Sequence, residues 1–148
     1  MVLSATILRD TTFWIKDLIQ DNITDPITRP AGQSFILTAY PQRAVTYPII
    51  TVKDLNTEST IPSGMQSEVF LNYQTFEIRI WARTIKEKND LYDQIYDLFR
   101  INQIGTASES QAQNLHDLKF TSVVNIDEPG DGNPKSKIIT IKYLYITQ

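Results

Sequence analysis

The chain reads as an α+β domain: a mainly antiparallel sheet of about five strands with two helices packed on it, in the order α-β-β-β-α-β-β. Three observations predict this. Apolar residues recur at helical spacing in only two segments, alternating β-branched runs occupy most of the remainder, and turn-forming residues divide those runs into hairpin-like pairs. At 148 residues, the chain is expected to be a single domain spanning residues 1–148, able to bury one core without metal or disulfide staples.

The first helix is expected from Ser4 to about Asn22, where Ile7, Leu8, Trp14, Ile15, Leu18 and Ile19 fall on one face. Arg9, Lys16 and Asp17 lie opposite, and Phe13 falls among them. A phenylalanine there either packs under a neighbouring loop or meets another chain. The segment DNITDPITRPAGQ, with two prolines and a glycine, ends the helix as a surface loop.

Two β-branched runs follow, FILTAY at 35–40 and YPIITVK at 47–53, and read as adjacent strands. Pro48 fits only near a strand start or on an edge. The polar stretch DLNTESTIPSGMQSE reads as a long connection. In the third strand, Val69, Leu71 and Tyr73 are apolar at odd positions, whereas Phe76, Ile78, Ile80 and Ala82 are apolar at even ones. A bulge or bend between Tyr73 and Phe76 would reconcile the two, leaving Glu77, Arg79, Trp81 and Arg83 on the face away from the core.

Thr84-Ile85-Lys86-Glu87 fits a capping box and should start the second helix, which runs to about Ile101. Leu91, Tyr92, Ile95, Leu98 and Phe99 make its apolar arc, with Asp90, Asp93 and Asp97 on the far side. The polar stretch NQIGTASESQAQN reads as a loop. Leu118, Phe120, Val124 and Ile126 then alternate in a fourth strand, DEPGDGNP turns, and KIITIKYLYIT closes the sheet.

Composition narrows the function. Seventeen acidic and fourteen basic side chains leave a formal charge of −3, so no global positive field draws a polyphosphate backbone. Cysteine is absent, which removes disulfides, thiolate metal sites and cysteine nucleophiles and suits a protein made in a reducing cytoplasm. Arg9 and Asp10 interrupt the N-terminal apolar run where a signal peptide needs continuity, and no membrane association is expected.

Chemistry-bearing patterns are weak. His116 beside Asp117 and near Ser110 invites a triad, but adjacent strand residues point to opposite faces and no nucleophile elbow surrounds the serine. Asp127, Glu128, Asp131 and Asn133 lack the order and distal glutamate of a calcium loop, and read as a turn. Asp90, Asp93 and Asp97 have no partnering ligand set, and Gly130, Gly132 and Lys135 do not make a phosphate loop. Arg79, Trp81 and Arg83 could make a platform for single strands, but on an acidic protein a covered sheet face is preferred. No enzyme, cofactor or metal is expected.

The strand Y-x-x-F-x-I-x-I-W-A (Tyr73 to Ala82), the T-x-x-E cap at Thr84 and the helix D-x-I-Y-D-L-F (Asp93 to Phe99), preceded by P-I-I-T-V and an amphipathic first helix, resemble the tail-terminator (tail-completion) proteins of long-tailed bacteriophages. The resemblance implies a non-enzymatic virion protein, assembled in the host cytoplasm, that forms a homo-oligomeric ring, usually a hexamer. Such a ring ends the tail tube and offers a surface to a head-completion or connector protein; DNA passes through it without sequence-specific recognition. On this reading Glu77, Arg79, Trp81, Arg83 and Phe13 are candidates for the subunit interface. Thr57, Glu58, Met65, Gln66, Gln103, Glu109, Gln111 and Gln113 sit in loops expected to contact the tube or line the lumen. The alternatives are a head-to-tail connector or other neck-ring protein, and a monomeric small-ligand-binding domain, for which the sequence offers no cluster of converging polar groups.

Overall fold

The computed structural model describes residues 7–43, 45–60, 70–101, 114–130 and 132–147. Its elements are α1 (Ile7–Asn22), β1 (Ile36–Leu37), β2 (Ile49–Thr60), β3 (Phe70–Ala82), α2 (Ile85–Ile101), β4 (Leu115–Asp127) and β5 (Lys135–Thr147). They form one five-stranded sheet in the order β1-β2-β3-β5-β4. Every neighbouring pair is antiparallel except β1 and β2. The α+β class and the order of elements are those the periodicity predicts.

Both helices lie on one side of the sheet. Ile15, Leu18 and Ile19 of α1 and Leu91, Ile95 and Phe99 of α2 join Ile50, Val52, Phe76, Ile78, Ile80, Ile139, Ile141 and Tyr143 in a single buried cluster. Strand residues directly opposite one another share a face, so the ladder from Val52 through Ile78 to Ile139 marks the helix side. Each fully buried isoleucine or phenylalanine contributes roughly 1.5–3 kcal/mol over its exposed state, which makes this cluster the main stabilising feature.

Local chemistry explains where the helices stop and start. The side chain of Asn22 donates to the Leu18 carbonyl at 2.8 Å and the Ile23 N–H to Ile19 at 2.9 Å, satisfying two of the last carbonyls of α1. At α2, Thr84 Oγ1 accepts the Glu87 N–H at 3.2 Å, while the Glu87 carboxylate reaches past the cap to the Arg83 N–H at 3.1 Å. The capping box thus closes one residue further out than the standard pattern. Burial pushes the Glu87 carboxyl up, but the hydrogen bonds and charge of Arg83 outweigh it and hold the group below its ordinary value.

The segment between α1 and β2 is organised by Arg29, whose side chain is 6% exposed. Its guanidinium bonds Asp25 at 2.5 Å and the Thr46 carbonyl at 2.5 Å, also reaches the Pro48 carbonyl, and lies 5.1 Å from the centroid of the Phe35 ring. A planar guanidinium presents five donors in a fixed fork, which holds these acceptors in one plane with less ordering cost than a lysine.

Several expectations need correcting. The strand expected over residues 35–40 contracts to Ile36 and Leu37 and pairs in parallel with β2, because the chain crosses back through residues 38–48 rather than turning tightly. The connection expected after Lys53 is strand as far as Thr60: Thr57 and Glu58, expected in a loop, pair with Gln74 and Tyr73. Threonines suit an exposed pleated surface, and polarity alone misled the reading. Met65, Gln66, Gln103, Glu109, Gln111 and Gln113 lie outside the described residues.

The parity slip also has a different solution. β3 pairs with β5 without a break from Phe70 to Ala82, so β3 itself is not bulged. The extra residue is Leu55 on the partner strand, between Asp54 and Asn56, opposite Phe76 and Thr75. On β3 the buried face stays even, and Gln74 is fully buried with neither amide atom hydrogen-bonded. In β4 a register shift between Phe120 and Ser122 turns Val124 and Ile126 outward, 47% and 44% exposed, whereas Phe120 packs on the core.

Candidate assembly interface

Among the described residues, no helix lies on the side of the sheet opposite α1 and α2, called the open face below. Pairing through Trp81, Arg79, Glu77 and Tyr73 places on it Thr51, Lys53 and Glu58 of β2, Ile138, Lys142 and Leu144 of β5, and Lys119, Ser122, Val124 and Ile126 of β4. No described helix covers it; α1 packs on β1 and β2 and α2 on β3 and β5, both from the core side.

At one end of this face lies an aromatic and cationic cluster. The Arg79 guanidinium lies 3.7 Å from the Trp81 ring centroid, and the Tyr40 ring packs against Trp81 at 4.8 Å, tilted by 58°. Trp81 Nε1 donates to Thr51 Oγ1 at 3.4 Å, and the Tyr40 and Tyr47 hydroxyls are 2.7 Å apart. Burial, then the hydrogen bond to Tyr40, pushes the Tyr47 hydroxyl up to about 12. Lys53 faces Glu77 at 3.7 Å, and further along the strand Lys142 sits 5.0 Å over the Tyr73 ring.

The five interface candidates do not form one patch. Glu77, Arg79 and Trp81 share the open face. Arg83 lies just beyond β3 and its guanidinium is held by Glu87 at 2.5 Å, at the start of α2. Phe13 is on α1, 48% exposed, on the helix side of the sheet. Tyr40 and Tyr47 are the members that sequence reading missed; their only signal is that both flank the PQRAVT turn beside a strand that pairs with Trp81.

The remaining candidates occupy structural positions. His116 Nε2 lies 2.8 Å from Asn114 Oδ1, Asp117 pairs with Lys119 at 3.2 Å, and Ser110 is outside the described residues. In the β4–β5 turn, Asn133 Nδ2 donates to the Pro129 carbonyl at 2.5 Å, while Gly130 and Gly132 take φ of 100° and 85°, which explains their glycines. Asp90 and Asp97 pair with Lys86 and Arg100. Among the described residues no group of three acidic or histidine side chains could hold a metal. A cavity of about 490 Å³ opens beside Gly32, Gln33, Leu37, Thr46 and Ile49, with Arg43 its single ionisable lining residue among those described.

No protein-family model matches the chain, and no curated protein matches it. The functional reading therefore stands on this geometry and on the residue patterns that carry the resemblance. Polarity adds to it: on the open face Lys53, Arg79, Lys119 and Lys142 outnumber Glu58 and Glu77, although the whole chain carries −3. No helix among the described residues is long and apolar enough to cross a membrane.

Proposed function

We propose that this protein is a structural subunit of a long-tailed bacteriophage particle, a tail terminator that assembles into a ring, ends the tail tube and presents a surface to a head-completion or connector protein. The observation that carries the reading is a broad sheet whose described helices lie on one face and whose other face displays a cluster of Arg79, Trp81 and Tyr40. Tryptophan, tyrosine and arginine are the side chains that dominate protein–protein contacts when desolvated. A cationic, aromatic sheet face on an acidic chain suits an acidic or aromatic protein partner.

Light scattering on the purified chain, with and without purified tail tubes, tests this directly. The expected outcome is a ring mass and tubes capped at one end. The Arg79→Glu, Trp81→Ala double variant is expected to lower the fraction of capped tubes by about tenfold or more, the loss of one well-packed hot spot. Capping at the wild-type level would remove the open face from assembly. Electron microscopy that places the ring at the head vertex instead of the tube end would favour the neck-ring alternative.

A further inference from the structure

Among the described residues, no strand pairs with the outer side of β4 or with that of β2 beyond Val52, and the two edges are complementary to each other. β1 covers the outer edge of β2 only at Ile50 and Thr51, leaving residues 53–60 unpaired on that side among the described residues. At the other end of the sheet β4 pairs with β5 alone. Long rows of free backbone N–H and C=O groups recruit further strands unless they are blocked, usually by charge, proline or a covering segment. Here the two edges carry charged residues, Lys53, Asp54 and Glu58 on β2 and Lys119 on β4, together with exposed apolar ones: Leu55 at 45%, and Val123, Val124 and Ile126 at 40%, 47% and 44%.

Strand direction decides what can pair. β2 and β5 run one way, β3 and β4 the other. In copies related by rotation about an axis along the strands, β4 of one lies beside β2 of the next, antiparallel. β2 carries one extra residue, Leu55, and β4 carries two, one between His116 and Lys119 and the other at Thr121. Because Leu55 and Thr121 offset each other, one register joins residues 53–58 to residues 119–124 with every regular pair on matching faces. Glu58 meets Lys119 and Thr57 meets Phe120; past the two bulges, Asp54 meets Val123 and Lys53 meets Val124. This register sets opposite charges across from one another at Glu58 and Lys119, and brings Leu55 beside Val123 and Val124.

On the reading that the protein self-assembles, we propose that the ring closes by strand addition, the β4 edge of each copy pairing antiparallel with residues 53–60 of β2 in the next. The partner is a second copy of this chain, and the contact is heterologous, so it closes a ring rather than a two-fold dimer. The subunit sheets merge into one continuous closed sheet, and both open edges disappear. The Arg79–Trp81 face then lies on one wall of that sheet and is left for the tube.

The chain has no cysteine, so a Glu58→Cys, Lys119→Cys double variant reports the contact cleanly. Within one copy the two positions are three strand spacings apart, about 14 Å, too far for a disulfide. Oxidation of the assembled protein is expected to yield a ladder of covalent multimers on a denaturing gel, with each single variant remaining monomeric. A ring mass in light scattering without a ladder overturns the strand pairing and leaves the ring reading standing. Covalent dimers from Lys119→Cys alone would place β4 against β4 across a two-fold axis and also overturn it. A monomer at every concentration overturns the pairing and the self-assembly reading together.

Discussion

Lys88 and Lys137 are 2% and 9% exposed under the first turns of α2, an unusual place for two cations. Lys88 Nζ bonds both carboxylate oxygens of Asp127, at 2.7 and 2.9 Å, pinning the end of β4 to the helix. Lys137 donates to Asn89 Oδ1 at 3.0 Å and sits 4.3 Å over the Tyr92 ring. Burial pushes the Lys137 ammonium below its ordinary value of 10.5 and the Lys88 charge adds to the fall, while Asp93 and Asp127 oppose it. A depressed lysine binds fewer protons folded than unfolded between the two values, so its contribution to stability rises with pH through that window. Below the window the penalty of keeping it charged is present in full. The Lys137→Met variant is therefore expected to be more stable than wild type at pH 7, with the difference shrinking as pH rises toward 10. Urea midpoints at several pH values would show it; a gap that does not change with pH would mean that the ammonium bears no burial penalty. Lys88 had a sequence signal: it extends the Leu91, Ile95, Phe99 stripe back by three residues. Lysine at that position reads as solvent-facing until Asp127 is known to come near.

Among the elements, α2 follows most directly from local chemistry. Its cap, its apolar stripe and its length are all visible in contiguous sequence, and Lys86 to Asp90 adds an ion pair one turn apart at 2.7 Å. That pair is on the surface and contributes little. The cap contributes more. Thr84→Ala removes the acceptor for the Glu87 N–H and is expected to cost about 1 kcal/mol, read as a lower denaturation midpoint with an unchanged slope. Thr84→Ser should restore most of it. β2 shows the opposite situation. Residues 53–60 are all exposed and carry no apolar alternation, so their strand conformation comes from pairing with β3, a partner that local pattern does not specify.

At the scale of the whole molecule, the helices cover one face of a five-stranded sheet and, among the described residues, leave a cationic, aromatic face and two unpaired edges. An isolated subunit with such edges gains stability from whatever pairs with them, because binding to the folded state alone draws the folding equilibrium. The melting temperature is accordingly expected to rise with protein concentration, and the Val124→Lys variant, which sets a charge in the proposed pairing edge, to lose that dependence. A wild-type melting temperature independent of concentration across the range in which light scattering sees a ring would mean that assembly and folding are uncoupled. The same polarity separates the two sides of the sheet: the helix side holds the fold together, and among the described residues no helix covers the other side.

The order of elements, the apolar faces of both helices, the helix cap and the placement of Glu77, Arg79 and Trp81 away from the core were all legible in the sequence. Each depends on spacing within a few residues, where helical and strand periodicity act directly on the pattern. Four features needed the tertiary structure: the parallel β1 pairing, the bulge at Leu55 rather than in β3, the outward turn of Val124 and Ile126, and the packing of Tyr40, itself bonded to Tyr47, against Trp81. An odd-even slip in one strand can be absorbed by that strand or by its neighbour, and local pattern is the same in both cases. Which face stays bare is likewise a property of how helices distant in sequence pack. The sequence by itself determined the elements and their buried sides; only the packed sheet decided which edges and which face remain open to a partner.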